Sequence, residues 1–343
     1  MSSKTKQRKP LGRRGLLVGL VGLTVALILL VLLSVAVGSK PIPLEHTLQA
    51  LVGKNAGSTD YLLVWHSRLP RTAIAIVAAS ALGAAGMVMQ AMTRNPLADP
   101  GIFGINSGAT LAVILGVALF DIQNYIFQVI LALFGAFLAG VTIYLLGGAR
   151  SGIDPVKLVL AGTAFNVIVM ALVQIIVVNN DENTYDFFRQ WVVGTFAGRQ
   201  PIVLITTSVA ILLALIITFV SSRQLDSQLL GADMAVTLGV NPRTLAVTSS
   251  LSVILLAGAA TAAVGPIIFL GLVAPHIARV ITGPIHKWAL PYTLLISADL
   301  ALLADVLGRI VAPPLEVQVG IMLGLIGGPF FIFLVTRKKL GRL

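Results

Sequence analysis

Apolar stretches of about twenty residues recur along nearly the whole chain, and no other feature restricts its folding as much. A helix of about 20 apolar residues crosses the hydrocarbon core of a bilayer. On that ruler, spans fall near 15–37, 70–92, 103–120, 124–147, 156–178, 200–221, 244–264, 267–283, 288–308 and 317–336. The reading is an all-α, polytopic membrane protein of about ten transmembrane helices. Residues 1–343 form one transmembrane domain, with a basic tail at 1–14 and a loop at 222–243. Composition agrees, because only 11% of residues are charged, against about 25% in a soluble domain. Leu16 to Val37 exceeds the 7–15 apolar residues of a secretion signal and reads as a retained span.

An even number of spans puts both ends on one side. Lys4, Lys6, Arg8, Lys9, Arg13 and Arg14 crowd one end, and Arg337, Lys338, Lys339 and Arg342 the other. With both ends cytoplasmic, Arg94, Arg150, Lys157, Arg223, Arg243, Arg279 and Lys287 also fall inside. Lys40, Lys54, Arg68, Arg71, Arg189, Arg199 and Arg309 fall outside. The 24 basic residues then divide 17 to 7 in the sense that the positive-inside rule requires. The net charge of +11 is thus a membrane signal, and no nucleic-acid partner is expected. The localisation that follows is the cell membrane, multi-pass, with cytoplasmic termini. Trp65, Trp191 and Trp288 lie near span ends, where interfacial aromatic anchors belong.

Two stretches are too interrupted for plain spanning helices. Arg94-Asn95-Pro96-Leu97-Ala98-Asp99-Pro100 breaks the chain after the second span, and Gly265-Pro266 through Pro275-His276 breaks it around the eighth. Such backbone survives at membrane depth only where protein or a wet cavity satisfies it. Arg71-Thr72 opens a span containing Gly83-Ala84-Ala85, and Arg243-Thr244 opens one containing Gly258-Ala259-Ala260. The two run in opposite directions by parity, as an inverted repeat of five plus five helices requires. The pairs Gly104/Gly108 and Gly194/Gly198 and the ladder Gly320, Gly324, Gly328 are spaced by four, which lets helix backbones approach closely. Packing within one subunit is the plain reading, and the ladder is the best candidate for a subunit interface.

The sequence carries no HExxH, G-x-S-x-G or P-loop pattern, and its four histidines lack metal-ligand spacing. With no cysteine, neither a disulfide framework nor a Cys-based metal site is available. No enzyme activity, bound cofactor or resident metal is expected. Uphill transport then needs a partner or an ion gradient. Asp299 and Asp305 lie in the ninth span and are candidate ion sites, although Arg309 stands one turn beyond Asp305 and suits a structural pair. The 222–243 loop points to a partner. It holds Leu230, Gly231, Ala232, Asp233, Met234, Ala235, Leu238, Gly239 and Val240, a short helix with an apolar face on a water-facing segment, which needs a surface to dock on, a partner's groove or the plainer alternative of its own subunit.

Taken in order, these segments resemble the FecCD family, permeases of ATP-driven importers for ferric siderophores, haem and vitamin B12. The motifs are Arg68-Leu69-Pro70-Arg71, Gly83 to Gln90, Arg94 to Pro100, Gly104 to Gly108, Leu230 to Val240, Gly265 to Arg279, Ala304 to Arg309, Pro314 to Gly320 and Gly327 to Phe331. The resemblance implies a homodimer or heterodimer of ten-helix subunits with two ATPase subunits below that use ATP-Mg. It also implies an extracytoplasmic binding protein that delivers a metal chelate, most commonly a ferric siderophore. Arg68, Arg71 and Arg309 would receive glutamates of that binding protein, and the helix around Ala232 to Leu238 would couple to the ATPase. The fifth and tenth helices would line the pathway. Gln90, Arg94, Asn95, Pro96, Pro275, His276, Gly320, Gly324 and Gly328 would be gate or structural positions. The sequence departs from the family pattern at Ala232, where a glutamate is usual, at Gln318, usually proline, and at Gly308, usually alanine.

Overall fold

The computed structural model describes residues 12–38, 40–147, 155–228, 231–313 and 315–336. The basic ends at 1–11 and 337–343, Arg150, Leu230, Pro314 and the side chains of Ala232 and Asp233 lie outside the described residues. Every described element is helical.

Each expected span has its helix. These are α1 (Arg13–Ala36), α4 (Leu69–Thr93), α5 (Ile105–Phe120), α6 (Tyr125–Leu146), α7 (Pro155–Val178), α9 (Pro201–Gln228), α11 (Pro242–Val264), α12 (Leu270–Thr282), α13 (His286–Val311) and α14 (Val319–Thr336). Four shorter helices join them: α2 (Leu44–Leu51), α3 (Thr59–Leu63), α8 (Glu182–Val193) and α10 (Ala232–Thr237). A π-helical turn at Val64–Arg68 runs α3 into α4.

The core is built from small residues. α4 and α11 are the most enclosed spans, and both are rich in fully buried alanine, Ala78, Ala81 and Ala85 on one and Ala257, Ala260 and Ala263 on the other. Lipid is as apolar as leucine, so close backbone approach drives helix association in a membrane. α1, by contrast, is leucine-rich and lies on the periphery. At the paired glycines the approach is extreme. A Cβ on Gly108 would lie 2.6 Å from the Gly135 carbonyl oxygen, and one on Gly135 would lie 2.2 Å from that of Gly108.

Side-chain contacts give the helix directions. Tyr292 Oη donates to the Leu16 carbonyl at 2.6 Å and Arg309 Nη1 to that of Ser34 at 2.6 Å, so α1 and α13 run together. Arg71 reaches Asp305 while Ser80 Oγ donates to the Leu294 carbonyl at 3.1 Å, so α4 opposes α13. Ser250, early in α11, meets Met92 Sδ at the far end of α4 at 3.6 Å. These directions are the ones parity requires, including the opposed pair α4 and α11.

The two breaks return the chain to the middle of the bundle. Asn95 Oδ1 accepts from Leu97 N at 3.0 Å and Asp99 Oδ1 from Gly101 N at 2.8 Å, which turns the chain back upward after α4. Asn106 at the start of α5 then accepts from Thr261 Oγ1, deep in α11, at 2.8 Å. α11 stops at Gly265, whose φ of +80° favours glycine. Phe269 at φ +70° starts the 13-residue α12. α5 and α12 are therefore shorter helices that begin inside the bundle.

Candidate functional site

At the inner junction, the two breaks meet on one side chain. Gln90 Nε2 donates to the Ala98 carbonyl of the first break at 3.2 Å and to the Gly271 carbonyl of the second at 3.0 Å. Arg279 Nη2 donates to Gln90 Oε1. Ala98 lies in irregular backbone, and the Gly271 carbonyl in α12 faces Pro275 four residues on, which has no N–H to give; a buried, unpaired carbonyl is costly. Gly86 makes the junction possible, because a Cβ there would lie 1.9 Å from the Gly271 oxygen. Arg94 ends α4 in the left-handed conformation at φ +49° and is exposed, as is Asn95. Pro96 follows in the turn. Pro275 sits inside α12 and is buried, and the neighbouring His276 ring meets Phe330 of α14 edge-on at 5.9 Å.

At the other end of α4, three arginines converge. Arg71 forms an ion pair with Asp305 at 2.8 Å and with Glu316 at 2.6 Å, and Arg309 pairs with Asp305 from the opposite side. Arg68 Nη1 donates to the Val35 and Ala36 carbonyls at 2.8 and 2.6 Å, and its Nη2 donates to that of Lys40. Arg309 Nη1 donates to the Ser34 and Val37 carbonyls. Arg68 and Arg309 are buried at 6% and 3% exposure. The three arginines therefore differ in access. Two of them cap the last carbonyls of α1 and staple it to α4 and α13, and only Arg71 keeps an edge toward the surface beside Glu316. The expected pairing of Asp305 with Arg309 is present. Gly308 also finds its reason: Val317 N donates to its carbonyl at 2.9 Å, and a Cβ there would lie 2.4 Å from the Val317 oxygen.

The apolar loop helix is observed as α10, with Gly231 at φ +108° and Gly239 at φ +84° as its breakers. Ala235 and Val240 are buried against the bundle, whereas Met234, Val236 and Leu238 are 54%, 53% and 58% exposed. The end of α9 that leads into α10 is clasped to the start of α13, because Asp226 Oδ1 accepts from His286 N at 2.8 Å and contacts His286 Nδ1 at 2.7 Å. Tyr292 in turn holds the start of α1. α10 therefore lies at the Arg13–Arg14 end of the bundle, opposite the three arginines.

Trp191 and the Gly194/Gly198 pair are placed differently from expectation. Trp191 is no interfacial anchor. It is buried, donates from Nε1 to Thr110 Oγ1 at 3.2 Å, stacks on Phe187 at 5.9 Å and lies under the Arg199 guanidinium. Gly194 and Gly198 sit in the loop after α8 at φ +74° and +70° and form no helix stripe. The glycine ladder divides: Gly320 is pressed against the Val193 carbonyl of its own subunit, whereas Gly324 and Gly328 face open space. Sequence reasoning missed α8, although its Asp181 cap, which accepts from Thr184 N at 3.0 Å, is a readable start signal. Among the described residues no group of three His, Cys, Asp or Glu side chains could hold a metal.

Comparison with known proteins supplies the context for this geometry. The model of the FecCD transport family matches residues 26–337. The chain is 40% identical over 321 residues to the ferric enterobactin transport system permease protein FepD of Escherichia coli strain K12, covering 93% of this chain and 95% of that protein. It is 35% identical to the Fe(3+)-citrate import system permease protein YfmD of Bacillus subtilis strain 168, covering 90% and 91%. It is 36% identical to the hemin transport system permease protein HmuU of Yersinia pestis, covering 83% and 87%. A solved inward-facing structure assigned to the metal-chelate type of ABC transporter superposes with a TM-score of 0.81 at 26% identity, covering 93% of this chain and 98% of that one.

Proposed function

This chain belongs to the FecCD transport family, and from that premise we propose that it is the permease subunit of an ATP-binding-cassette importer for a ferric siderophore, with haem and vitamin B12 as alternative cargoes. The names of its relatives support a metal chelate as cargo, since they cover enterobactin, citrate and hemin systems. One observation carries the mechanism: α10 offers Met234, Val236 and Leu238 to solvent at the basic end of the bundle. An apolar helix in that position suits the groove of an ATPase subunit. Two ATPase subunits would bind ATP-Mg on the cytoplasmic side, a second permease subunit would complete the pathway, and this chain would hold no nucleotide. Both termini are then cytoplasmic.

At the outer end, an extracytoplasmic binding protein would dock over the α2–α3 surface. Of the three arginines, Arg71 has the access to exchange Glu316 for an incoming carboxylate. Closure of the ATPase pair would pull α10 and, through Asp226 and His286, the foot of α13. The partners would thus bias two packings of the same helices. Gln90, bonded to both segments, would carry a shift of one to the other.

A secondary transporter driven by Asp299 or Asp305 is the rival. Asp305 is already held by two guanidinium groups, which leaves Asp299, whose Oδ1 is buried without a hydrogen bond. Reconstitution with ATPase and binding protein in liposomes tests the proposal. Uptake of an iron-labelled chelate should require ATP, and Met234→Glu with Leu238→Glu should abolish it. Uptake that persists without ATP and follows an imposed proton gradient would overturn it.

A further inference from the structure

The peripheral helix α1 is held very unequally at its two ends. At one end Arg68 and Arg309 donate to the carbonyls of Ser34, Val35, Ala36 and Val37. At the other, among the described residues, one side-chain hydrogen bond joins it to α13, from Tyr292 Oη to the Leu16 carbonyl at 2.6 Å. The rest of that contact is apolar. Leu16 is buried with Tyr292, Ala274 and Ala278, and Trp288 packs against the same cluster.

Because α1 and α13 run together, this seam brings like charges to one foot. Arg13 lies three residues before Leu16 and Lys287 five before Tyr292, which is about 4.5 and 7.5 Å along their helices from the same hydrogen bond. Arg14 adds a third cation. All three are exposed, and among the described residues none forms an ion pair or a side-chain hydrogen bond. Asp226, on the adjoining end of α9, is turned to His286. The flanking segments 1–11 and 337–343 contain no Asp or Glu, so neither can neutralise the foot. Like charges gathered at one place repel, and an anion between them removes that cost.

The setting indicates which anion. Leu17, Val18 and Val21, on the turns that follow Arg14, are exposed and apolar, so the flank above the foot faces acyl chains. A basic foot beneath a bare apolar flank, with a tryptophan in the seam, matches both halves of an anionic phospholipid. We propose that Arg13, Arg14, Lys287 and Trp288 form a site for the headgroup of one anionic phospholipid, whose phosphate bridges α1 to α13. The lipid supplies at this end the clamp that Arg68 and Arg309 supply at the other.

Trp288 is a reporter within the site. The full chain carries Trp65→Phe to remove the exposed tryptophan at the opposite end, and Trp191 is buried. It is placed in vesicles that mix phosphatidylcholine with brominated phosphatidylglycerol, or the reverse, and quenching against composition gives the preference at Trp288. Each cation near an anionic surface favours it by about fivefold, so phosphatidylglycerol should be preferred at least tenfold. Salt at about 1 M should reduce that preference. Arg13→Gln, Arg14→Gln and Lys287→Gln together should bring it below twofold. Arg13→Lys, Arg14→Lys and Lys287→Arg together should keep it, and Arg243→Gln at the start of α11 should leave it unchanged. Equal quenching by the two lipids at the unsubstituted foot would overturn the site, as would a preference that the glutamine variant retains. If that variant instead loses co-purification of an ATPase subunit while keeping its lipid preference, the foot belongs to a protein partner. Loss of the preference in both triple variants would make the foot a packing element and not a lipid site.

Discussion

Gln90 Nε2 lies 3.0 Å from the carbonyl oxygen of Gly271, a bond between residues 181 positions apart that ties α4 to the first turn of α12. With its second bond to Ala98, Gln90 closes two gaps in the backbone hydrogen bonding, one in the first break and one that Pro275 leaves in α12. A glutamine suits this joint because its amide donates twice while its carbonyl accepts from Arg279.

Replacing it with an apolar side chain of similar length tests the joint. Gln90→Leu should leave both carbonyls unpaired, at about 1–3 kcal/mol for each buried group. The expected result is a lower thermal midpoint in detergent together with loss of ATP-dependent uptake. An unchanged midpoint would mean that water or backbone rearrangement supplies the missing donors.

Asp305 is wedged between Arg71 and Arg309 with 1% of its side chain exposed. Removing one member of a buried charge group costs about 3–5 kcal/mol, because the remaining charges lose their compensation. Asp305→Ala should therefore destabilise the outer end strongly, and Asp305→Asn should do so less. Denaturation of the purified transporter, read at α1 and α13, measures the difference.

The glycines divide into two classes that substitution should separate. Gly86→Ala forces a Cβ against the Gly271 backbone oxygen, and overpacking of this kind costs about 1–3 kcal/mol. Gly328 has open space around it, so Gly328→Ala should leave the folding of the single subunit within about 0.5 kcal/mol. If Gly324 and Gly328 lie at the subunit axis, their alanine variants should instead weaken dimer recovery on size-exclusion chromatography.

Outside the membrane, Asp60 accepts from His46 and pairs with Lys40 at 3.7 Å. The His46 hydrogen bond, aided by Lys40, holds its carboxyl below the ordinary carboxylate range. The sign is that of a depressed acid: the contribution is present above the unfolded value near 3.8 and is lost as pH falls through the folded one. Hydrogen exchange across residues 44–63 should therefore accelerate in strongly acidic buffer. In Asp60→Asn it should be faster at neutral pH and should lose that acid step.

What the sequence determined by itself was what runs of hydropathy and Pro/Gly breaks dictate locally, though not the short α8. The ten spans follow from runs of apolar residues, the two breaks from Asn-Pro and Gly-Pro pairs, and the α10 face from Met234 and Leu238 between glycines. Helix directions were also legible, because each apolar run reverses the chain. Tertiary structure decided which polar side chains find partners. Arg68 and Arg309 look like surface cations in sequence, yet they cap carbonyls at and just beyond the end of α1 that lie 28 to 33 and 272 to 275 positions away. Trp191 looks interfacial, yet α8 carries it inward to Thr110, 81 positions distant. Gly320 belongs to a regular stripe, yet one step meets Val193 and the next two meet nothing. Hydropathy sums over neighbours along the chain, whereas a hydrogen bond or a close approach depends on the segment opposite, which only the packed bundle supplies.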